Sequence, residues 1–154
     1  MNEYLQSLGH KSRLAKDFRV VGVTSLSSLE SVVDGSRTAH AFFAVDATAD
    51  GEIRQAGGFT DNRFATVYIL KKYSGETDRE RVMELCREIR KSIVRRIVRD
   101  REMLAGENIY VDTSRLPYYE IPRELFSSLT GVYIHISYSV PEDLQYKADE
   151  WEAD

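Results

Sequence analysis

Histidine, cysteine and clustered carboxylates are the residue types with which a chain of ordinary composition does chemistry, and this one uses them sparingly. His10, His40 and His135 lie far apart, with none of the one-turn separations by which two imidazoles on a helix grip one metal ion. His135 stands in an alternating run with Tyr133 and Ser137 on the same face, which predicts a sheet-surface side chain rather than a base or ligand. Cys86, the single cysteine, is flanked by Leu85 and Ile89 on one side of a helical pattern, so it reads as a buried structural thiol. Asp46, Asp50, Glu52 and Asp61 gather around one polar stretch, but not at the spacing of a calcium loop. Gly57-Gly58 has no lysine or helix start behind it, which predicts a hairpin bend rather than a phosphate cradle. With no paired carboxylates and no nucleophile–base set at recognisable spacing, the sequence implies no catalytic reaction, no metal and no cofactor.

What the sequence does pattern is charge. Arg87, Arg90, Lys91, Arg95, Arg96, Arg99 and Arg101 crowd one helix, whereas Glu142, Asp143, Asp149, Glu150, Glu152 and Asp154 crowd the C-terminus, inside a net charge of −4. Such asymmetry predicts pairing with other surfaces, including copies of the same chain. The basic helix admits an alternative, a small nucleic-acid-binding domain. Against it, the arginines are spread over several helical faces, no aromatic stacking motif accompanies them, and the sequence pI is about 5.5.

The elements that position these groups follow from periodicity. At 154 residues and 17.7 kDa, 42% hydrophobic and 30% charged, the chain suits one domain (residues 1–141) with an acidic C-terminal extension (142–154). No apolar run approaches the roughly 20 residues that cross a bilayer, and Met1–Gly9 lacks the apolar segment of an export signal. One cysteine fits a reducing compartment. Glu3–Phe18 reads as a helix interrupted near Gly9, Arg19–Val23 as a strand, and Thr24 or Ser25 as the cap of a short helix ending by Asp34-Gly35. Ala39–Tyr73 reads as two strands joined by the polar loop Ala47–Thr60, an extended hairpin reaching beyond its sheet. A long amphipathic helix, Asp78–Leu104, follows a Thr77–Glu80 capping box. It carries Val82, Leu85, Ile89, Ile93 and Ile97 on one stripe, widened by Cys86, Val94 and Val98. Gly106 ends it, and Ile109–Asp112 makes a short strand. Leu116–Pro122, with two prolines, reads as irregular. VYIHISYSV places Val132, Ile134, Ile136, Tyr138 and Val140 on one face, and Pro141 stops it. The expected fold is α+β: a mostly antiparallel sheet with the long amphipathic helix packed on one face and an extended β-hairpin loop.

The stretch from FRVVGVTSLSSLESVVDG through AHAFFAVD, the polar loop, FATVYILKKY and the helix to KSIV resembles the tail-terminator proteins of long-tailed bacteriophages. The likeness lies in order and texture: strand and short helix (Val20–Val33), apolar strand (Ala39–Val45), polar loop, strand preceded by Arg63, long helix, and closing aromatic-rich strand (Val132–Val140). The resemblance implies a homo-oligomeric ring, a hexamer, at the head-proximal end of the tail, where it stops tube polymerisation and receives the neck. It also implies a virion protein made in the host cytoplasm, with tail tube protein, a neck or head-completion protein and, where the tail is contractile, sheath as partners. DNA would only pass through the lumen, and no membrane is involved. Carried onto this chain, it places Glu52, Arg54, Gln55 and Arg63 at a subunit or tube contact. Arg90, Lys91, Arg95 and Arg99 would lie against acidic surface of the next copy. The chain departs from the family pattern in Arg115–Pro122 and in the acidic tail, so Tyr118, Tyr119 and Trp151 become expected docking residues for neck or sheath. A head-closure protein of the same neck is the neighbouring alternative.

Overall fold

The structure, a computed structural model, describes residues 1–46, 50–55, 57–122, 126 and 128–150. Its organising element is a ladder of two 14-residue strands, β4 (Phe59–Lys72) and β7 (Leu129–Glu142), antiparallel over their whole length from Phe59↔Glu142 to Lys72↔Leu129. On one side β4 takes β2 (Ala41–Asp46) against its second half and β3 (Gly51–Gln55) against its first. β1 (Arg19–Val23) lies outside β2 and parallel to it, with helix α2 (Leu26–Gly35) in the crossover. On the far side of β7 pair the short strands β5 (Tyr110–Val111) and β6 (Tyr118–Glu120). This is a mostly antiparallel seven-stranded sheet, with the 31-residue helix α3 (Glu76–Gly106) packed on one face.

The principal core forms where α3 and α1 (Asn2–Lys11) meet that face. Val82, Cys86, Ile89, Ile93 and Ile97 of α3 are buried against Ala65, Val67 and Ile69 of β4 and Val132, Ile134 and Ile136 of β7. At roughly 1.5–3 kcal/mol per buried aliphatic side chain this contact dominates stability. Met83 and Leu104 join the buried stripe, whereas Val98 is exposed. A second core lies on the opposite face, which the sequence had left uncovered. Leu29 and Val33 of α2 pack with Phe42, Ala44, Leu70, Ile121, Phe126 and Leu129. Adjacent Phe42 and Phe43 are both fully buried, one in each core, as expected of a strand whose apolar run is continuous rather than alternating.

Several local expectations are corrected. α1 runs through Gly9 and ends at Lys11, so the expected second half to Phe18 is made of turns instead of helix; an added Cβ at Gly9 would stand 2.6 Å from the Phe43 ring, so the glycine serves close helix–sheet approach rather than a helix break. α3 starts at Glu76, so Thr77 lies inside its first turn and makes no cap. Instead the Asp78 carboxylate accepts the Ser74 N–H at 2.9 Å. Ser25 caps α2 by accepting the Ser28 N–H. The chain reverses after α3 at Asn108, φ 59°, a left-handed position that asparagine tolerates better than most residues. Tyr118–Glu120 is a strand despite its flanking prolines. β7 continues through Pro141 to Glu142. Its odd-numbered backbone groups face β5 and β6: His135 donates to Pro117, and Ser137 and Gly131 accept from Asp112 and Ile121. The missing N–H of Pro141 therefore points to the open side beyond β5, where no ladder bond is lost.

Candidate functional site

β2 pairs only with Thr66–Lys71 of β4, so the Phe59–Phe64 half continues past it as an arm of β3, β4 and β7, with the two residues of β5 alongside Tyr138 and Ser139. Every residue of β3 is exposed, Ile53 among them. The polar loop expected from sequence is thus itself paired: Glu52 opposes Asn62 and Arg54 opposes Thr60. Residues 47–49 and 56 of that loop lie outside the described residues.

Strand alternation distributes the expected contact residues over two faces of the arm. Glu52 and Arg54 share the face turned away from α3 and form an ion pair with each other. Gln55 and Arg63 fall on the other face, where Arg63 Nε donates to Asp61 Oδ2 at 2.6 Å, a bond that favours the charged guanidinium. Arg54 and Glu52 line an open groove of about 520 Å³ that runs across the sheet through Asn62, Phe64, Tyr110, Asp112, Arg115 and His135. Beside it, Tyr119 stacks on Tyr133 at 5.2 Å between centroids, His135 stands edge-on to both, and Tyr68 closes the row at 5.5 Å from Tyr133. Partial burial, with Asp46 and Tyr133 nearby, pushes the Tyr68 phenol above its ordinary range. His135 Nδ1 and Thr66 Oγ1 are 2.9 Å apart, but among the described residues no carboxylate is bonded to the imidazole. A hydroxyl and an imidazole without a third group to orient them do not make a nucleophile–base set. Sequence alternation had placed His135 on a sheet surface. It missed Phe64 and Tyr110, which line the groove, and Thr66, which meets His135 at its side; their places follow only from the β4–β7 and β5–β7 registers.

The helix residues divide as well. Arg90 stacks on Tyr118, its guanidinium carbon 3.6 Å from the ring centroid, bringing together two residues the sequence had given separate roles. Lys91 pairs with Glu88 at 2.6 Å, and Arg87 with Glu84 and Glu120. Arg96 bonds Asp100 at 2.5 Å, and Tyr4 reaches the same carboxylate from α1 at 3.3 Å. Burial first, then the Asp100 charge, raises the Tyr4 phenol well above its usual range. Arg95 and Arg99 are exposed and form no ion pair among the described residues. Tyr119 faces away from Tyr118, on the groove side, and Trp151 lies outside the described residues. Cys86 is buried, its thiol pushed up to about 12 by desolvation, which leaves it unreactive at neutral pH. Among the described residues no group of three His, Cys, Asp or Glu side chains could hold a metal ion, and no helix is long and apolar enough to cross a membrane. Compared with protein families and with curated proteins, the sequence gives no match.

Proposed function

We propose that this chain is a structural virion protein that assembles as a ring on the head-proximal end of a phage tail, ends tube polymerisation and joins tail to neck. The order and texture of elements from Phe18 to Val140 support this reading. The observation that carries it is the β3–β4–β7 arm, where β3 and its outer edge are exposed throughout and most facing positions of β4 and β7 are only partly buried, beyond a well-buried sheet. Exposed strand edges are normally blunted or covered, and an edge of this kind is suited to contact with another chain. A ring needs a heterologous contact whose rotation closes. The arm on one side and the arginine face of α3 on another are the two unlike surfaces such a contact requires. The open groove, with no oriented base, favours a surface role over a reaction.

Mass photometry and electron microscopy of the purified protein, alone and with polymerising tail tubes, test the reading. Closed rings seated at one tube end, with tube growth arrested, are expected. A chain that stays monomeric and never binds a tube end overturns it. The position of the ring in intact particles separates a terminator from a head-closure protein.

A further inference from the structure

The arginine face of α3 and the acidic end of the chain are complementary in charge, and among the described residues neither is fully paired within the subunit. From Arg87 to Arg101 seven cations stand against two carboxylates. Four of the seven are engaged at home, in the Arg87, Lys91 and Arg96 ion pairs and the stack of Arg90 on Tyr118. Arg95, Arg99 and Arg101 remain exposed. Beside Arg95 lies a shallow groove of about 330 Å³ whose floor is Val94, Leu116 and the Tyr118 ring and whose rim is Arg90, Lys91 and Arg95. At the other end of the chain, Glu142 to Asp154 holds six carboxylates and one lysine. After β7 the chain runs without helix or strand to a short 3-10 turn at Ala148–Glu150. There Leu144 is 48% and Tyr146 76% exposed. Two apolar side chains set among carboxylates, uncovered on their own subunit, match in kind a groove with an apolar floor and a basic rim. Apolar anchors supply the affinity of such a contact and complementary charge its orientation and specificity.

We infer that residues 143–150 of one copy dock in the Val94/Leu116/Tyr118 groove of a neighbouring copy, Leu144 and Tyr146 on its floor and the flanking carboxylates towards Arg95 and Arg99. The inference rests on the self-assembly part of the reading above and names the acidic surface that the helix meets. A polyanion such as nucleic acid would satisfy the rim but leave the apolar floor empty, so the two occupants respond differently to loss of the apolar anchors.

The test uses a fluorescent peptide of residues 142–154 titrated onto a chain truncated after Glu142; the residues removed from Asp143 to Glu150 belong to no strand of the sheet. Saturable binding of one peptide per subunit is expected. It should weaken at least about tenfold with Arg95→Glu/Arg99→Glu and comparably with Leu144→Ser/Tyr146→Ser in the peptide. It should also fall as salt rises from 0.05 to 0.5 M, because exposed pairs are screened. A peptide with Asp143→Lys and Asp149→Lys should regain affinity for the Arg95→Glu/Arg99→Glu chain. In mass photometry the truncated chain should form smaller species than the full chain. Absence of peptide binding, binding indifferent to Arg95→Glu/Arg99→Glu, or DNA binding at these arginines without peptide binding overturns the inference. If the truncated chain still closes rings on tube ends, tail docking falls while the terminator reading stands. If the full chain remains monomeric and never caps a tube, both fall.

Discussion

The two halves of the β4–β7 ladder have the same backbone pairing and opposite surroundings. From Ala65 to Lys72, opposite Leu129 to Ile136, the strands are flanked by β2 and β6 and sandwiched between two cores, and Ala65, Val67, Ile69, Ile134 and Ile136 are almost wholly buried. From Phe59 to Phe64, opposite Ser137 to Glu142, the same ladder has only β3 and the two residues of β5 beside it, and its burial drops to intermediate or exposed at nearly every position. Sequence follows the division: TVYIL against TDNR on β4, and VYIHI against YSVPE on β7. Backbone pairing is therefore not what fixes the fold here. The covered half is stabilised by apolar burial, and the open half, secured by continuity with it, is free to carry charge and contact surface. The two halves should consequently fail differently when mutated.

The largest effect is expected at Ile89, fully buried where α3 crosses the covered half. Ile89→Asp removes its burial and places an unpaired carboxylate in the core, at more than about 4 kcal/mol. Circular dichroism should find the variant unfolded or molten at room temperature; a cooperatively folded variant with a near-native melting temperature would refute the ranking of the two halves. Gly131→Ala comes next. Gly131 sits at φ 156°, and an added Cβ would stand 1.9 Å from the Ile69 carbonyl oxygen. Neither strand can yield without parting the ladder at its most buried stretch, so at least about 3 kcal/mol of destabilisation is expected in denaturant titration.

Legibility followed the same division, because single-strand patterns record burial but not pairing. The α3 stripe, the Ser25 cap and the inward set Val132, Ile134, Ile136 and Tyr138 were all readable, each governed by one local rule. β3 was not: GEIRQ lacks any apolar alternation and forms a strand because β4 overhangs β2 and offers it an edge. β6 and the passage of β7 through Pro141 were hidden for a like reason, since proline's local cost depends on which side of the strand its nitrogen faces. The groove was the least legible feature of all. Thr66 and His135 meet across 69 residues, and Glu52 and Arg54 part company with Arg63 only once the register of the arm is known. Sequence supplied the residue types of the site, while their assignment to faces needed the sheet.

In the arm the expectation reverses. Ile53→Ser changes an exposed side chain on an edge strand, so its effect on stability should stay within about 0.5 kcal/mol. The same variant should impair ring closure or tube capping if that face of the arm is a contact. Hydrogen exchange of the free protein should likewise show faster amide exchange in β3 than at Val67 or Ile134. Equal protection in both halves would mean that the arm is as strongly held as the core.

The smallest effect concerns the entry to α3, at the covered end of the ladder. The Asp78 carboxylate accepts the Ser74 N–H and pairs with Arg81 at 2.6 Å, and these two contacts hold it below the usual carboxylate range. Its position in the first helical turn also suits a negative charge. A carboxyl group whose folded pKa is depressed contributes stability that is fully present above its unfolded pKa and is lost as pH falls through the folded value. Protonation would therefore loosen this turn only below about pH 4. In Asp78→Asn the amide oxygen can still accept from Ser74, but the charge towards Arg81 is gone at every pH. The melting temperature of the variant should lie slightly below that of the parent at pH 7, and the gap should close towards pH 2, where the parent has lost the same charge. Because its partner Arg81 is largely open to solvent, added salt should narrow the gap at pH 7 as well. A gap that persists unchanged at pH 2 would mean that Asp78 acts through its shape in the turn rather than through its charge.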